Sequence, residues 1–299
     1  MNRLVRYAWF VLLFNVGVIL LGALVRATGS GAGCGQSWPT CQGELLPELS
    51  GDTAIEFTHR AASGLALVLV LALVLWVRRL VPQRKPARMG AIVSLGAVIG
   101  EALIGAMIVL ASWVGDDESV ARAIAVPLHL VNTLILLAAL TLTIFWLSGG
   151  RKLDITTNRG AFRWVLLGGI ALVLISATGA VTALADTLFP KDGIGVDLEA
   201  GSHFLTRLRI IHPVLAVATA AIAWRMLGTR AGSPEARAVA GLVGAMLVTG
   251  AVNVALGVPV WMQLLHLALA DALWISYVFL AAKTLETSPA LAPRPLVTE

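Results

Sequence analysis

The chain has 299 residues, 58% of them hydrophobic and 13% charged, with a formal net charge of +5. A soluble domain carries about 25% charged residues, so this composition, with a mean hydropathy of +0.86, excludes a water-soluble globular protein. The isoelectric point near 9.8 suggests nucleic acid, but the basic residues lie between apolar stretches, which reads as membrane topology and excludes a nucleic-acid partner.

About 20 apolar residues cross a bilayer. The hydrophobic pattern predicts about eight transmembrane helices, over Tyr7–Val25, Phe57–Val77, Gly90–Ala111, Arg122–Leu147, Phe162–Leu184, Leu208–Leu227, Val239–Leu256 and Trp261–Ala282. The fold class is therefore all-α, a polytopic membrane protein embedded in the lipid bilayer. The first apolar run looks like a secretory signal, but it is long and its cleavage context is weak, so it reads as a mature helix.

The first outer loop, Arg26 to Ile55, is the longest. It holds Gly29, Gly31, Gly33 and Gly35 and both cysteines of the chain, Cys34 and Cys41. Two readings stay open: a structural disulfide staple, or a redox pair that exchanges electrons or thiols with a partner. Two cysteines are too few for an iron–sulfur cluster or a closed zinc site.

The second helix opens on Ile55-Glu56-Phe57-Thr58-His59-Arg60-Ala61-Ala62-Ser63-Gly64. Glu56 and His59 are three apart and share one helix face. Ionisable groups at the mouth of a membrane helix are expensive to desolvate and mark a site, although an acidic first turn is also what the helix macrodipole favours. Glu101 in the third span and Asp271 in the eighth read as buried acids paired with a neighbour or as proton relays.

Of five histidines, His203 falls in a loop and is expected to be solvated. The others, His59, His129, His212 and His266, fall in the second, fourth, sixth and eighth predicted spans, each within about two turns of the outer end. One such histidine is best read as a satisfied core residue. Four at one depth on alternate helices point to metal or haem.

Lysine and arginine cluster in one set of loops: Arg3 and Arg6; Arg78, Arg79, Arg84, Lys85 and Arg88; Arg151, Lys152 and Arg159; and Arg225, Arg230 and Arg237. The alternate loops, Gly115–Ser119 and Asp186–Glu199, lean acidic. The basic set is expected to be cytoplasmic, with both termini on that side. The proline-rich tail 286–299 is expected to be disordered.

The two halves read as parallel copies. Leu128-His129-Leu130 matches Leu265-His266-Leu267. Val25-Arg26-Ala27-Thr28-Gly29 matches Ser176-Ala177-Thr178-Gly179-Ala180, and Gly100–Gly105 is echoed by Val252–Gly257. This predicts two pseudo-symmetric four-helix bundles, residues 1–150 and 151–285, related by an axis along the membrane normal, each with two histidines facing its interior. Paired imidazoles across a bundle suit bis-histidine haem. Arg60, Arg122, Arg207 and Arg209 lie near these histidines as candidate partners for haem propionates, or as interfacial snorkelling side chains.

Together, Gly22-Ala23-Leu24-Val25-Arg26-Ala27-Thr28-Gly29-Ser30-Gly31, the Cys34/Cys41 pair followed by Gly43, Glu56-x-x-His59-Arg60, and His129, His212 and His266 resemble the haem A synthases of bacterial and mitochondrial membranes. The resemblance implies oxidation of the C8 methyl of haem O to a formyl group by successive hydroxylations. It implies a haem b cofactor on His212 and His266, and substrate haem on His59 and His129 with Glu56 at the reacting edge. It further implies a bacterial plasma membrane, a haem O synthase as partner, and an electron donor such as quinol or a thiol protein. Two features depart from the family's pattern: the third outer loop lacks cysteine, and Glu101 stands where an uncharged amide is expected. The alternatives are a di-haem cytochrome b moving electrons from quinol, and a haem carrier without turnover.

Overall fold

The structure, a computed structural model, describes residues 2–156, 159–189, 199, 201–228 and 232–287. Arg230, most of the acidic loop before Glu199 and the tail beyond 287 lie outside the described residues. The elements in order are α1 (Asn2–Ala27), a 3₁₀ turn (Ser30–Ala32), α2 (Gly51–Leu80), α3 (Lys85–Leu110), α4 (Val120–Leu147), α5 (Arg159–Leu188), α6 (Phe204–Leu208), α7 (Ile211–Gly228), α8 (Pro234–Ala255) and α9 (Val260–Leu285). They provide eight stretches long and apolar enough to span a membrane, α6 and α7 together forming one of them.

The expected spans all exist, and most run a turn or so longer than expected. Helix α2 starts at Gly51 rather than Phe57, so Glu56 lies inside the helix with His59. The sixth span breaks between Leu208 and Ile211. Pro213 explains the break: it has no N–H to return to the carbonyl one turn back, so the helix restarts just before it. Pro127 in α4 holds a similar place two residues before His129, yet that helix runs on.

Helices α1 to α4 pack as one bundle and α5, α7, α8 and α9 as the other, with α4 and α9 in contact along the seam. The first bundle carries the larger core, in which Leu73, Val77, Leu137, Leu140 and Ile144 are fully buried. The second has a smaller cluster around Leu172, Val239, Leu273 and Tyr277. Many outward apolar side chains, among them Leu103, Val214 and Val217, are exposed on the helix flanks, where lipid is their natural solvent. Trp274 of α9 donates to the Leu134 carbonyl of α4 at 2.8 Å across the seam. At the opposite end from the disulfide loop, the α4–α5 connection pairs with the end of α9: Asp154 N donates to Leu285 O at 2.7 Å, and Thr287 N to Lys152 O at 3.0 Å. Glu286 and Thr287 are therefore part of the fold rather than of a disordered tail.

The halves repeat, but in a register that differs from the sequence match. Helices α3 and α8 end alike, with Trp113 N donating to Ile108 O at 2.9 Å and Val258 N to Asn253 O at 2.8 Å. This equates Gly105 with Gly250 and Ile104 with Thr249, not Gly105 with Gly257. Gly22 in α1 lies under His59 as Gly179 in α5 lies under His212, so Gly179 corresponds to Gly22 rather than Gly29. Each sequence match is off by about two turns, a shift that returns a small residue to the same helix face. The match of His129 with His266 stands.

The tight first core generates a test. Leu137→Ala should destabilise the protein by about 2–5 kcal/mol, read as a lower thermal midpoint in detergent. Leu103→Ala on the lipid-facing side should change it little.

Candidate haem-binding site

The outer end of α2 is held by the disulfide loop. Gly33 lies against the start of α2, where a Cβ would sit 2.5 Å from the Asp52 carbonyl carbon, so only glycine permits the approach. Thr53 Oγ1 then donates to Gly33 O at 2.8 Å, and Ser30 Oγ to Asp52 at 2.8 Å. Cys34 and Cys41 form a disulfide, and both are fully buried.

Glu56 is 3% exposed. Its Oε2 accepts from Cys34 N at 2.7 Å, and its Oε1 accepts from Arg60 Nε at 3.1 Å and Nη2 at 2.5 Å. Arg60 also donates to the carbonyls of Ser37 at 2.5 Å and Thr40 at 2.7 Å, both inside the disulfide ring. The carboxylate expected at a reacting edge also forms an internal ion pair with Arg60 that pins the loop to α2.

The other arginines proposed for propionates are committed in the same way. Arg122, buried at the start of α4, donates to Gly115 O at 2.6 Å and Asp117 O at 2.8 Å. Arg209, buried in the break before α7, pairs with Asp186 at 3.1 Å and donates to Ala185 O at 2.6 Å and to Phe189 O. Arg207 is exposed and reaches Ser202 Oγ at 3.0 Å. Buried guanidinium groups need several acceptors, and loop carbonyls supply them here. His203 is not simply solvated: it caps α6 and lies between Phe189 and Phe204, with ring centroids 4.7 and 4.5 Å away.

Sequence reasoning missed Arg26, at the end of α1. It crosses the seam to Ala183 O at 2.5 Å, Thr187 Oγ1 at 2.7 Å and Gln263 Oε1 at 2.9 Å. Its position inside the Val25–Gly29 motif was the available signal, but the partners lie in the other half of the chain.

The four histidines gather in two pairs. In the second half, His212 of α7 and His266 of α9 have ring centroids 6.5 Å apart and planes at 81°. Two imidazoles bound trans to one iron, each at about 2 Å, place their centroids roughly 6.3 Å apart. His212 Nδ1 lies 3.2 Å from Ile175 O, and His266 Nδ1 3.0 Å from Thr249 Oγ1. With each Nδ1 held by an oxygen, Nε2 is left to bind metal. In the first half, His59 of α2 and His129 of α4 are close enough for their charges to interact. His129 Nδ1 lies 2.9 Å from Glu101 Oε2.

Glycines bring neighbouring backbones against the imidazoles. A Cβ on Gly22 would lie 2.9 Å from His59 Cε1, one on Gly179 3.0 Å from His212 Cε1, and one on Gly250 3.3 Å from His266 Cε1. Among the described residues no three His, Cys, Asp or Glu side chains converge as a metal site. A haem iron needs only two axial donors from the protein, so the donor sets fit haem better than a bare ion. Asp271 is 1% exposed, and its Oδ2 has no hydrogen-bond partner among the described residues; it is not part of either pair.

Comparison with known proteins gives a consistent result. The chain matches the family described as cytochrome oxidase assembly protein, COX15-CtaA, over residues 5–54 and 48–278. It is 49% identical over 300 residues to a protoheme IX farnesyltransferase of Thermus thermophilus, covering 95% of this chain but only 49% of that relative. It is 43% identical over 93 residues to a heme A synthase of Bacillus licheniformis, 31% of each chain. A heme A synthase of Lysinibacillus sphaericus is 36% identical over 151 residues, 49% of this chain and 47% of the relative. The chain thus spans about half the length, or less, of these relatives.

Cys34→Ser with Cys41→Ser should keep both histidine pairs intact, because the disulfide staples the outer loop and neither cysteine is needed as an iron ligand. Loss of a disulfide costs about 2–4 kcal/mol. Limited proteolysis of the oxidised wild type and the double variant checks this: cleavage should appear between 29 and 50 in the variant, with haem content unchanged.

Proposed function

The chain belongs to the COX15-CtaA family of cytochrome oxidase assembly proteins, and on that premise we propose that it acts in haem A synthesis, oxidising the C8 methyl of haem O to a formyl group. Glu56, one turn from His59 at the start of a duplicated histidine pair, carries this reading. Two pairs alone suit a di-haem electron carrier as well as a substrate haem beside a resident one, and the carboxylate beside one of them favours the enzyme. The relatives named heme A synthase add support.

His212 and His266 would hold haem b. That group, when bound, supplies a one-electron redox centre next to the substrate site. His59 and His129 would hold haem O in the first half, residues 1–150, while residues 151–285 form the cofactor half. Each hydroxylation would remove two electrons from the C8 carbon, add the oxygen of one water and release two protons, the electrons leaving through a neighbouring redox centre to an external oxidant. Two rounds give a gem-diol, and loss of water leaves the formyl group. Glu56, paired with Arg60, stands one turn from His59 and fixes the outer wall of the substrate side. Its negative end favours positive charge developing on the methyl carbon more than it favours the neutral methyl.

In this reading the protein lies in a bacterial plasma membrane with its basic loops and both termini cytoplasmic. The disulfide loop then faces the oxidising side, where such a bond persists. A haem O synthase is the expected neighbour. The Thermus relative is named for farnesyl transfer to haem and is about twice the length matched here, which supports a working association between the two activities. A quinol–quinone or thiol–disulfide couple would be the redox partner, its oxidised form taking these electrons.

His212→Ala or His266→Ala should abolish low-spin b-type absorbance, while His59→Ala should leave it. Survival of the spectrum in both second-half variants would rule out the cofactor assignment. Glu56→Gln, which keeps size but removes the charge, should bind haem with a near-normal spectrum yet accumulate haem O or a partly oxidised product. Wild-type production of haem A in that variant would confine Glu56 to anchoring the loop.

A further inference from the structure

The two histidine pairs are not held alike. His266 Nδ1 faces Thr249 Oγ1 at 3.0 Å, and that hydroxyl gives its single proton to Ala245 O at 2.8 Å. It therefore meets His266 as a neutral acceptor. His212 Nδ1 faces the neutral carbonyl of Ile175. His59 lies against the neutral backbone of Val18, and its buried Nδ1 makes no well-formed hydrogen bond among the described residues. Of these four histidines, His129 is the one with a carboxylate in contact among the described residues, Glu101 Oε2 at 2.9 Å from Nδ1 in a short contact that is bent rather than collinear with the N–H bond; His59 feels the same charge from farther off.

Glu101 is itself held in place. Asn132 Nδ2, one turn beyond His129 on α4, donates to Glu101 Oε1 at 2.6 Å and to Ala97 O at 2.8 Å. Gly100 makes room for that amide: a Cβ there would lie 2.9 Å from Asn132 Oδ1. The second half lacks every part of this assembly. In the repeat register, Glu101 corresponds to Met246, Gly100 to Ala245 and Asn132 to Leu269. A carboxylate between membrane helices is costly, so an assembly that keeps one against a single histidine calls for a reason beyond packing.

We infer that Glu101 is a positioning residue of the first-half haem site. It orients His129 through Nδ1, directs Nε2 toward the bundle interior and makes His129 a stronger axial donor than His266. A haem held by His59 and His129 therefore has a lower reduction potential than one held by His212 and His266. This rests on the reading that both pairs hold haem. A carboxylate behind a metal-bound imidazole raises ligand basicity, and a more basic ligand favours the ferric state. The ordering suits a substrate that is to be oxidised next to a centre that takes its electrons.

The test is a spectroscopic redox titration of the full-length protein in detergent, loaded with iron protoporphyrin IX at both sites. Wild type should show two midpoints, the lower one lost in His59→Ala. Glu101→Gln should raise the lower midpoint and leave the upper one in place. Glu101→Ala should also weaken first-half haem binding by roughly 10- to 100-fold. If Glu101→Gln does not fold, Asn132→Ala, which keeps the carboxylate but removes its tether, should raise the same midpoint. An unmoved lower midpoint in the folded variant would make Glu101 only a buried acid satisfied by Asn132, and the inference would fall alone. If wild type takes up no second haem, the two-haem reading fails and the inference with it.

Discussion

The outer face of this protein depends on buried guanidinium groups that draw their acceptors from the backbone. Arg122 stands at a helix start, Arg209 in the break before α7, Arg60 in the outer part of α2 and Arg26 at a helix end, and each reaches two or more oxygens on a neighbouring loop or helix. Hydrocarbon offers a cation no other partners, so loops and helix ends must come to it. Arg60 follows His59 directly, and Arg209 precedes His212 by three residues. Fixing these arginines fixes the depth at which α2 and α7 present their histidines. Arg26 ties the end of α1 to α5 and α9, so the two halves share one outer plane.

At that depth, backbone rather than side chain decides how close the helices come. Gly22 lies against an imidazole with no room for a Cβ, and at Gly179 and Gly250 a Cβ would press on the ring. Larger residues there would turn the rings from the bundle interior. Ile175 O and Thr249 hold the rings from behind, and the His212 and His266 centroids lie 6.5 Å apart. The first half has the denser core and places a carboxylate, Glu101, against His129.

Much of this was legible in the sequence because membrane helices announce themselves. Eight apolar runs gave the spans, and the recurrence of His59, His129, His212 and His266 near the start of alternate helices gave the pairs. The extent of α2 was misjudged because Gly51–Glu56 is polar, although it is helical under the loop. The repeat register slipped by about two turns, since small residues recur on one face at that spacing. The roles of arginine were least legible. Sequence places Arg60 beside His59, but only the fold shows that Ser37 and Thr40 offer it carbonyls. Glu101 was visible as an anomaly; its partner could not be named, because Asn132 and His129 lie on another helix. Glu56 showed the reverse limit: its spacing from His59 was correct, while its contacts with Cys34 N and Arg60 came from the loop closing above it.

Function then depends on one claim, that the first half of the bundle holds a haem whose methyl group is oxidised. The most direct measurement is the pigment extracted from the full-length protein after co-expression with a haem O supply, separated by chromatography and identified by mass. The account predicts haem b together with haem A or hydroxylated haem O. Haem b with unmodified haem O, or haem b alone, would contradict it and leave a di-haem cytochrome b as the better description.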